Sequence, residues 1–177
     1  MVNSNKAVFF DRDGVLNHLI ERDGSFYSPQ CFDDFEVNAD AIKIIQQIKE
    51  LGFLAIVISN QPDITRGKLE QHEMDKMTQV LFSELKIDDV FYCTHDDNND
   101  IGCRKPKPGL FHLAQQKYNI NFNHSIMVGD TWKDVDAARN AKIKMYLLDK
   151  NYNQEIQNVE RIQNLSEVLS KLNGLHK

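Results

Sequence analysis

Residues 6–17 read KAVFFDRDGVLN, and the order of side chains in that dozen decides the fold. Lys6 to Phe10 is a short apolar run of β-formers, and the charged turn Asp11-Arg12-Asp13-Gly14 follows at once. That is the signature of a buried strand ending at a polar loop. The same arrangement recurs outward along the chain. Phe53 to Ile58 (FLAIVI) is apolar throughout, as expected of a parallel strand covered on both faces, and Ser59-Asn60-Gln61-Pro62 ends it. Asp89 to Tyr92, Ser125 to Val128 (leading into Gly129-Asp130) and Ile143 to Leu148 complete the set.

Helical patterns fill the gaps. Asn38 is a candidate N-cap for Ala41, Ile44, Ile45, Ile48 and Leu51, with Gly52 as the stop. From Lys68 to Leu85 the stripe Leu69, Met77, Leu81 and Leu85 is widened by Met74 and Val80. Pro108 opens a helix through about Tyr118, and Ala137, Ala138 and Ala141 mark another after Asp130. Ile156, Val159, Ile162, Leu165, Val168, Leu169 and Leu172 read as a broken C-terminal helical pattern. Residues 14–37 lack periodicity and read as an extended loop or flap. Strands alternating with helices predict a doubly wound, mainly parallel α/β sheet flanked by helices, with no large cap domain. One domain is expected over residues 1–177, with a flap at 14–37 and a polar loop at 93–106.

Composition narrows the function classes. The chain has 177 residues and a charge of 21 − 26 = −5, with 41% hydrophobic and 27% charged residues. No 18-residue apolar run is present, so no membrane span is expected. No apolar leader precedes the first charges, and the acidic balance argues against a nucleic-acid binder. Three cysteines do not make a disulfide framework. A cytoplasmic protein, working as a monomer on a small molecule, is the expectation.

In doubly wound sheets, ligands sit beyond the carboxyl ends of the strands, and the residues of chemical interest fall there. Asp11 and Asp13, one residue apart, make a hard-oxygen site suited to Mg²⁺, and Asp130 on another strand end could complete it. Ser59 offers a hydroxyl to a phosphate and Lys105 a positive charge. A carboxylate can attack phosphorus and split hydrolysis into two steps. Each piece alone has an ordinary reading. DxDG is a common charged turn, Ser59-Asn60 a common loop pair, Gly129-Asp130 a helix cap, and Arg104-Lys105 solvated surface charge. Their joint order at successive strand ends is what points to phosphoryl transfer.

Four segments carry a resemblance: FFDRDGVLN (9–17), VISNQ (57–61) with ITRGK (64–68), CRKPKPG (103–109) and MVGDTWKD (127–134). Together they resemble the haloacid dehalogenase-like phosphatase superfamily. Within it they are similar to the minimally capped branch of heptose-bisphosphate and histidinol-phosphate phosphatases. The resemblance implies Asp11 as nucleophile and Asp13 as general acid, then base, with surroundings that favour its acid form. It implies Mg²⁺ held by Asp11, the Asp13 carbonyl and Asp130, and a phosphoryl group stabilised by Ser59 and Lys105. Arg104 would recognise the substrate, with Asn17, Asn60, Gln61 and Thr131 lining the pocket. Asp134 would orient Lys105 or the metal's surroundings. The implied substrate is a heptose 1,7-bisphosphate in heptose precursor biosynthesis. Histidinol phosphate is the alternative, and a receiver-like phosphate-binding module is the alternative of another class.

Members of that branch often carry a zinc loop of the form C-x-H…C-x-C. Here Cys93, His95 and Cys103 match, but Ile101 stands where the remaining cysteine would be. Three readings stand: Zn²⁺ with Asp96, Asp97, Asp100 or water as fourth ligand; a loop that has lost the metal; or Cys93 and Cys103 joined by oxidation. Cys31 reads as a small hydrophobe.

Overall fold

The computed structural model describes residues 4–174, so residues 1–3, at the start of the leader reading, lie outside it. Its centre is a six-stranded sheet in the order β5-β4-β1-β6-β7-β8. The strands are β1 (Ala7–Phe10), β4 (Leu54–Asn60), β5 (Asp89–Cys93), β6 (Ile126–Gly129), β7 (Lys144–Leu148) and β8 (Glu160–Ile162). Every pairing in this sheet is parallel. The expected doubly wound class is therefore the class observed.

β1 is wholly buried, and its side chains alternate between two cores. Val8 and Phe10 join Ile44, Ile45 and Ile48 of α1 (Ala39–Glu50) and Val168 and Leu172 of α5 (Glu167–Asn173). Ala7 and Phe9 join Leu110, Phe111 and Ala114 of α3 (Gly109–Tyr118) and Ala137, Ala138 and Ala141 of α4 (Trp132–Ala141). A smaller cluster gathers Met74 and Met77 of α2 (Gln71–Val80) with Leu69. Asn38 caps α1 by accepting from the Asp40 amide, as its position predicts.

Several boundaries differ from expectation. β4 runs on to Asn60, so Ser59 and Asn60 end the strand rather than follow it. α2 begins at Gln71, and Leu81–Leu85 forms a π-helical turn beyond it. Leu51 is exposed at the end of α1, outside the buried stripe. The flap is ordered: β2 (Ile20–Arg22) and β3 (Ser25–Tyr27) form an antiparallel hairpin. Its turn, Asp23-Gly24, has φ of 52° and 72°, the two positive values that a tight two-residue hairpin needs. Three-residue strands are too short to display an alternation. The broken C-terminal pattern resolves into β8 and the short α5, and Ile162 is buried because it extends the sheet. Among the described residues no helix is long and apolar enough to cross a membrane.

Phe111 is fully buried edge-on to Phe9, with ring centroids 5.0 Å apart. Phe111→Ala should cost about 3–5 kcal/mol in urea unfolding; a loss below about 1 kcal/mol would show that this face repacks.

Candidate active site

The strand order reverses direction at β1, and the carboxyl ends of β4, β1 and β6 open onto one cleft of about 700 Å³. Asp11, just past β1, is oriented by the Arg12 amide, which donates to its Oδ1 at 2.7 Å. Lys105 Nζ reaches under it, 2.9 Å from Asp11 Oδ1, 2.6 Å from Asp134 Oδ1 and 3.0 Å from the Ile58 carbonyl. Burial alone would depress the lysine, but Asp11 and then Asp134 outweigh it and hold the ammonium charged. Asp134 is fully buried on α4 and its other oxygen accepts from the Thr131 amide (3.0 Å) and hydroxyl (2.7 Å). Thr131, not Asp130, precedes the helix as its cap.

Asp11, Asp130 and Asp134 bring ligand oxygens within 4.8 Å of one another. At that separation two carboxylates repel by roughly 3–4 kcal/mol at an effective dielectric near 20. Burial, then Asp134, push Asp11 up to about 6 against the pull of Lys105. Burial, then Asp11 and Asp134, push Asp130 well above the carboxylate range. Asp130 Oδ1 is buried without a hydrogen-bond partner. Buried acids in excess over one ammonium, with an orphaned oxygen among them, fit a hard divalent cation such as Mg²⁺. Asp134 has both oxygens engaged, which leaves Asp11 and Asp130 as the carboxylates with capacity for it. Gly14 makes room: its φ is +84°, and a Cβ there would stand 2.2 Å from Asp130 Oδ2.

Asp13 is in the opposite condition. Arg12 holds both its oxygens (Nε to Oδ1 at 3.0 Å, an outer nitrogen to Oδ2 at 3.1 Å), and Gln61 and Asn17 donate to it at 2.7 and 3.1 Å. Burial would raise its pKa, but Arg12 and these amides overcome burial and hold it below the usual value. The expectation that its surroundings favour the acid form is therefore corrected: this arrangement keeps Asp13 a carboxylate.

The expected pocket residues divide. Ser59, Asn60, Gln61, Arg104 and Thr131 all line the cleft with Asp11, Asp13, Lys105 and Asp130. Ser59 Oγ accepts from Gln61 at 3.0 Å. Asn60 clamps the Arg104-Lys105 turn, accepting from the Lys105 amide (2.9 Å) and donating to its carbonyl (3.0 Å). Asn17 does not line this cleft. It is buried, donating to Asp13 and to the His18 carbonyl, and so acts on Asp13 rather than on a ligand. Arg104 donates through Nε to Asp97 at 2.7 Å. Lys133 and Arg66 stand on the same rim, and burial, then Arg104, lower the Lys133 pKa. Lys133 went unread because nothing in its spacing separates it from a solvated helix charge. Tyr152, whose phenol donates to Asp130 Oδ2, was missed for a like reason: it lies in a stretch without a motif.

The loop at 93–106 brings together the two cysteines and the histidine that the sequence singles out. Cys93 and Cys103 are joined by a disulfide, with His95 Nδ1 3.8 and 3.3 Å from their sulfurs. Cys93 ends β5, and its Cα lies 5.6 Å from that of Cys103, within bridging reach. Of the three readings, this arrangement has the oxidised one, and the same three side chains bring their ligand atoms within 4.8 Å of one another. Ile101 is exposed to solvent.

A family model of haloacid dehalogenase-like hydrolases matches residues 26–142. The chain belongs to that family. It is 35% identical over 153 residues to the D-glycero-beta-D-manno-heptose-1,7-bisphosphate 7-phosphatase of Helicobacter pylori, covering 83% of this chain and 85% of that one. The Photorhabdus laumondii enzyme, named for the alpha anomer, is 34% identical over 84% of each chain. Among solved structures, the D,D-heptose 1,7-bisphosphate phosphatase of B. bronchiseptica, complexed with magnesium and phosphate, superposes with a TM-score of 0.82 at 20% identity, over 96% of this chain and 98% of that one. It shares the fold.

Asp130→Asn removes one of the mutually repelling acids. Without metal, its unfolding midpoint should rise by roughly 2–4 °C, about 1 kcal/mol, while the stabilisation by added Mg²⁺ should vanish. A midpoint lowered by several degrees in chelator would show that Asp130 supports the fold rather than a cation.

Proposed function

We propose that this chain is a Mg²⁺-dependent phosphatase that removes the 7-phosphate of D-glycero-D-manno-heptose 1,7-bisphosphate and leaves the heptose 1-phosphate. One observation carries this reading: the cleft has two separate charged regions. Its floor holds Asp11, Asp13, Asp130 and Lys105, and its rim holds Arg104, Lys133 and Arg66 with Asp97 and Asp63 beside the two arginines. A substrate with a reacting anion at one end and an anchoring anion at the other fits both. The names of the relatives, at 34–35% identity over more than four-fifths of the chain, agree with it.

Asp11 and Asp130, with the Asp13 carbonyl, would hold Mg²⁺; when bound it supplies positive charge that lets two anions approach. Lys105, kept protonated by Asp11 and Asp134, does the same from below and orients Asp11. An Asp11 carboxylate oxygen attacks phosphorus, the bond from phosphorus to the sugar O7 breaks, and O7 takes up a proton. Ser59, which accepts from Gln61, keeps its own hydroxyl hydrogen to donate to a phosphoryl oxygen. Water then attacks the aspartyl-phosphate, giving its proton to a base and releasing inorganic phosphate and free Asp11. As a carboxylate, Asp13 is ready for that second proton transfer. For the first it must arrive protonated, exchanging Arg12 for the leaving oxygen. Arg104 grips the 1-phosphate, with Lys133 beside it.

The test is a substrate comparison. Mg²⁺-dependent release of one phosphate from the heptose 1,7-bisphosphate is expected, with the 1-phosphate surviving and Asp11→Asn inactive. A higher kcat/KM on histidinol phosphate overturns the substrate; a long-lived phosphoprotein without turnover overturns the enzyme and favours a receiver-like module. Arg104→Ala should lower kcat/KM at least tenfold more on the bisphosphate than on a heptose 7-monophosphate. Equal losses would remove Arg104 as the anchor.

A further inference from the structure

Tyr152 belongs to no motif, yet it touches the cation site. Its phenol donates to Asp130 Oδ2, so that this oxygen is engaged while Oδ1 stays buried without a partner. Asp130 thus has one oxygen occupied by the protein and one left over.

The position of Tyr152 is built from both sides. It lies in the short 3₁₀ turn Asn151–Asn153, directly after the sheet's β7 and its following loop. The next residue, Asn153, is buried and donates to the Asp130 carbonyl at 2.8 Å and to the Leu148 carbonyl at 2.9 Å. Arg161 on β8 in turn donates to the Asn153 side chain (3.0 Å) and carbonyl (2.7 Å) and to the Ile156 carbonyl (2.9 Å). The turn is therefore fastened to the residue whose carboxylate Tyr152 holds. On the open side, the Tyr152 ring packs on Phe26 of the hairpin, centroids 5.0 Å apart. Below it, a Cβ at Gly14 would come within 2.8 Å of the phenol oxygen, so the space beside the contact exists only because residue 14 has no side chain.

A carboxylate that can rotate presents a cation with a mixture of geometries, and partners in contact with a ligand are what fix its orientation. We propose that Tyr152 is a positioning residue for the cation site, its phenol pinning Asp130 Oδ2 and thereby reserving Oδ1 for the metal. Phe26 packs the hairpin against the same ring, so one side chain joins the cation's carboxylate to the wall of the cleft. This rests on the cation site proposed above.

The experiment is Mn²⁺ binding to the full-length protein without substrate, followed by the free-Mn²⁺ electron paramagnetic resonance signal and by calorimetry. Wild type, Asp130→Asn and Tyr152→Phe are compared. Tyr152→Phe keeps the ring and its packing on Phe26 and deletes the donor. The expected result is binding abolished by Asp130→Asn and weakened roughly tenfold by Tyr152→Phe. The chelator-treated Tyr152→Phe protein should unfold within about 3 °C of wild type, near 1 kcal/mol. Turnover by Tyr152→Phe should return toward the wild-type kcat at high Mg²⁺, which general damage would not allow. Wild-type Mn²⁺ affinity in Tyr152→Phe overturns this inference alone. Wild type that binds no Mn²⁺, or Asp130→Asn that binds it undiminished, removes the cation site and this inference with it.

Discussion

The constraint on which the site depends is the crowding of three carboxylates, Asp11, Asp130 and Asp134, around a single buried ammonium, that of Lys105. Such a group is costly unless each charge is answered. Three segments far apart in sequence supply it: the end of β1, the end of β6 with the first turn of α4, and the turn before α3. The remaining polar contacts of the region hold these three in register. Asn60 fastens the Lys105 backbone to β4, Thr131 holds Asp134, and the Arg12 amide holds Asp11. With Asp134 and Lys105 satisfying each other, the unanswered charge is concentrated on Asp11 and Asp130. That residual charge is what the proposed cation would answer.

Two aspartates one residue apart are driven in opposite directions by the same local backbone. Asp11 faces other acids and is pushed up to about 6, burial being the first cause. Asp13 faces Arg12, Gln61 and Asn17 and is held down. Arg12 is itself fully buried, so the Arg12–Asp13 pair is internal and the guanidinium has no exposed route to another anion. Separating environments in this way is how one turn gives two carboxyl groups different tasks. In the proposed mechanism it also makes the first proton transfer the demanding one for Asp13, since protonation there means surrendering charge-assisted hydrogen bonds.

Most of the sheet was legible because buried parallel strands advertise themselves as unbroken apolar runs, as in AVFF and LAIVIS, and the motif residues lie at their ends. What escaped was structure without a periodic signal. The hairpin β2–β3 has three-residue strands, and its clearest mark is the Asp23-Gly24 turn. β8 reads as part of a helical pattern because Val159 and Ile162 fall at helical spacing, although Ile162 is buried by sheet pairing with Leu148. The site shows the same division. Asp11, Lys105 and Asp130 stand in spaced motifs, whereas Tyr152 reaches the cleft through tertiary packing and Lys133 sits within a motif segment as an ordinary helix charge. Asn17 sits inside a motif, yet its amide serves Asp13. A motif identifies which residues matter near the site more readily than it identifies what each one touches. The disulfide illustrates the limit from the other side: spacing brought Cys93, His95 and Cys103 together but left their chemistry open.

The hairpin also explains how a chain without a large cap can bound its cleft. Phe26, Tyr27 and Tyr152 form an apolar wall, while Arg104, Lys133 and Arg66 line the rim. Although the chain carries a formal charge of −5, its rim gathers three cations, of which Arg66 is paired with Asp63 and Asp96 and Arg104 with Asp97. Arg104 is already engaged by Asp97, so an incoming anion must displace that carboxylate. Asp97 is 74% exposed whereas the Arg104 side chain is buried, so the pair is open to solvent at the carboxylate end alone. A buried guanidinium left without a counter-charge is costly, so an anion that replaces Asp97 has to supply the charge that Asp97 gives. By contrast, the pairs Lys105–Asp134 and Arg12–Asp13 are buried at both ends, with no solvent to replace a lost partner. Exposure thus separates the ion pairs buried at both ends from Arg104–Asp97, in which only the guanidinium is buried.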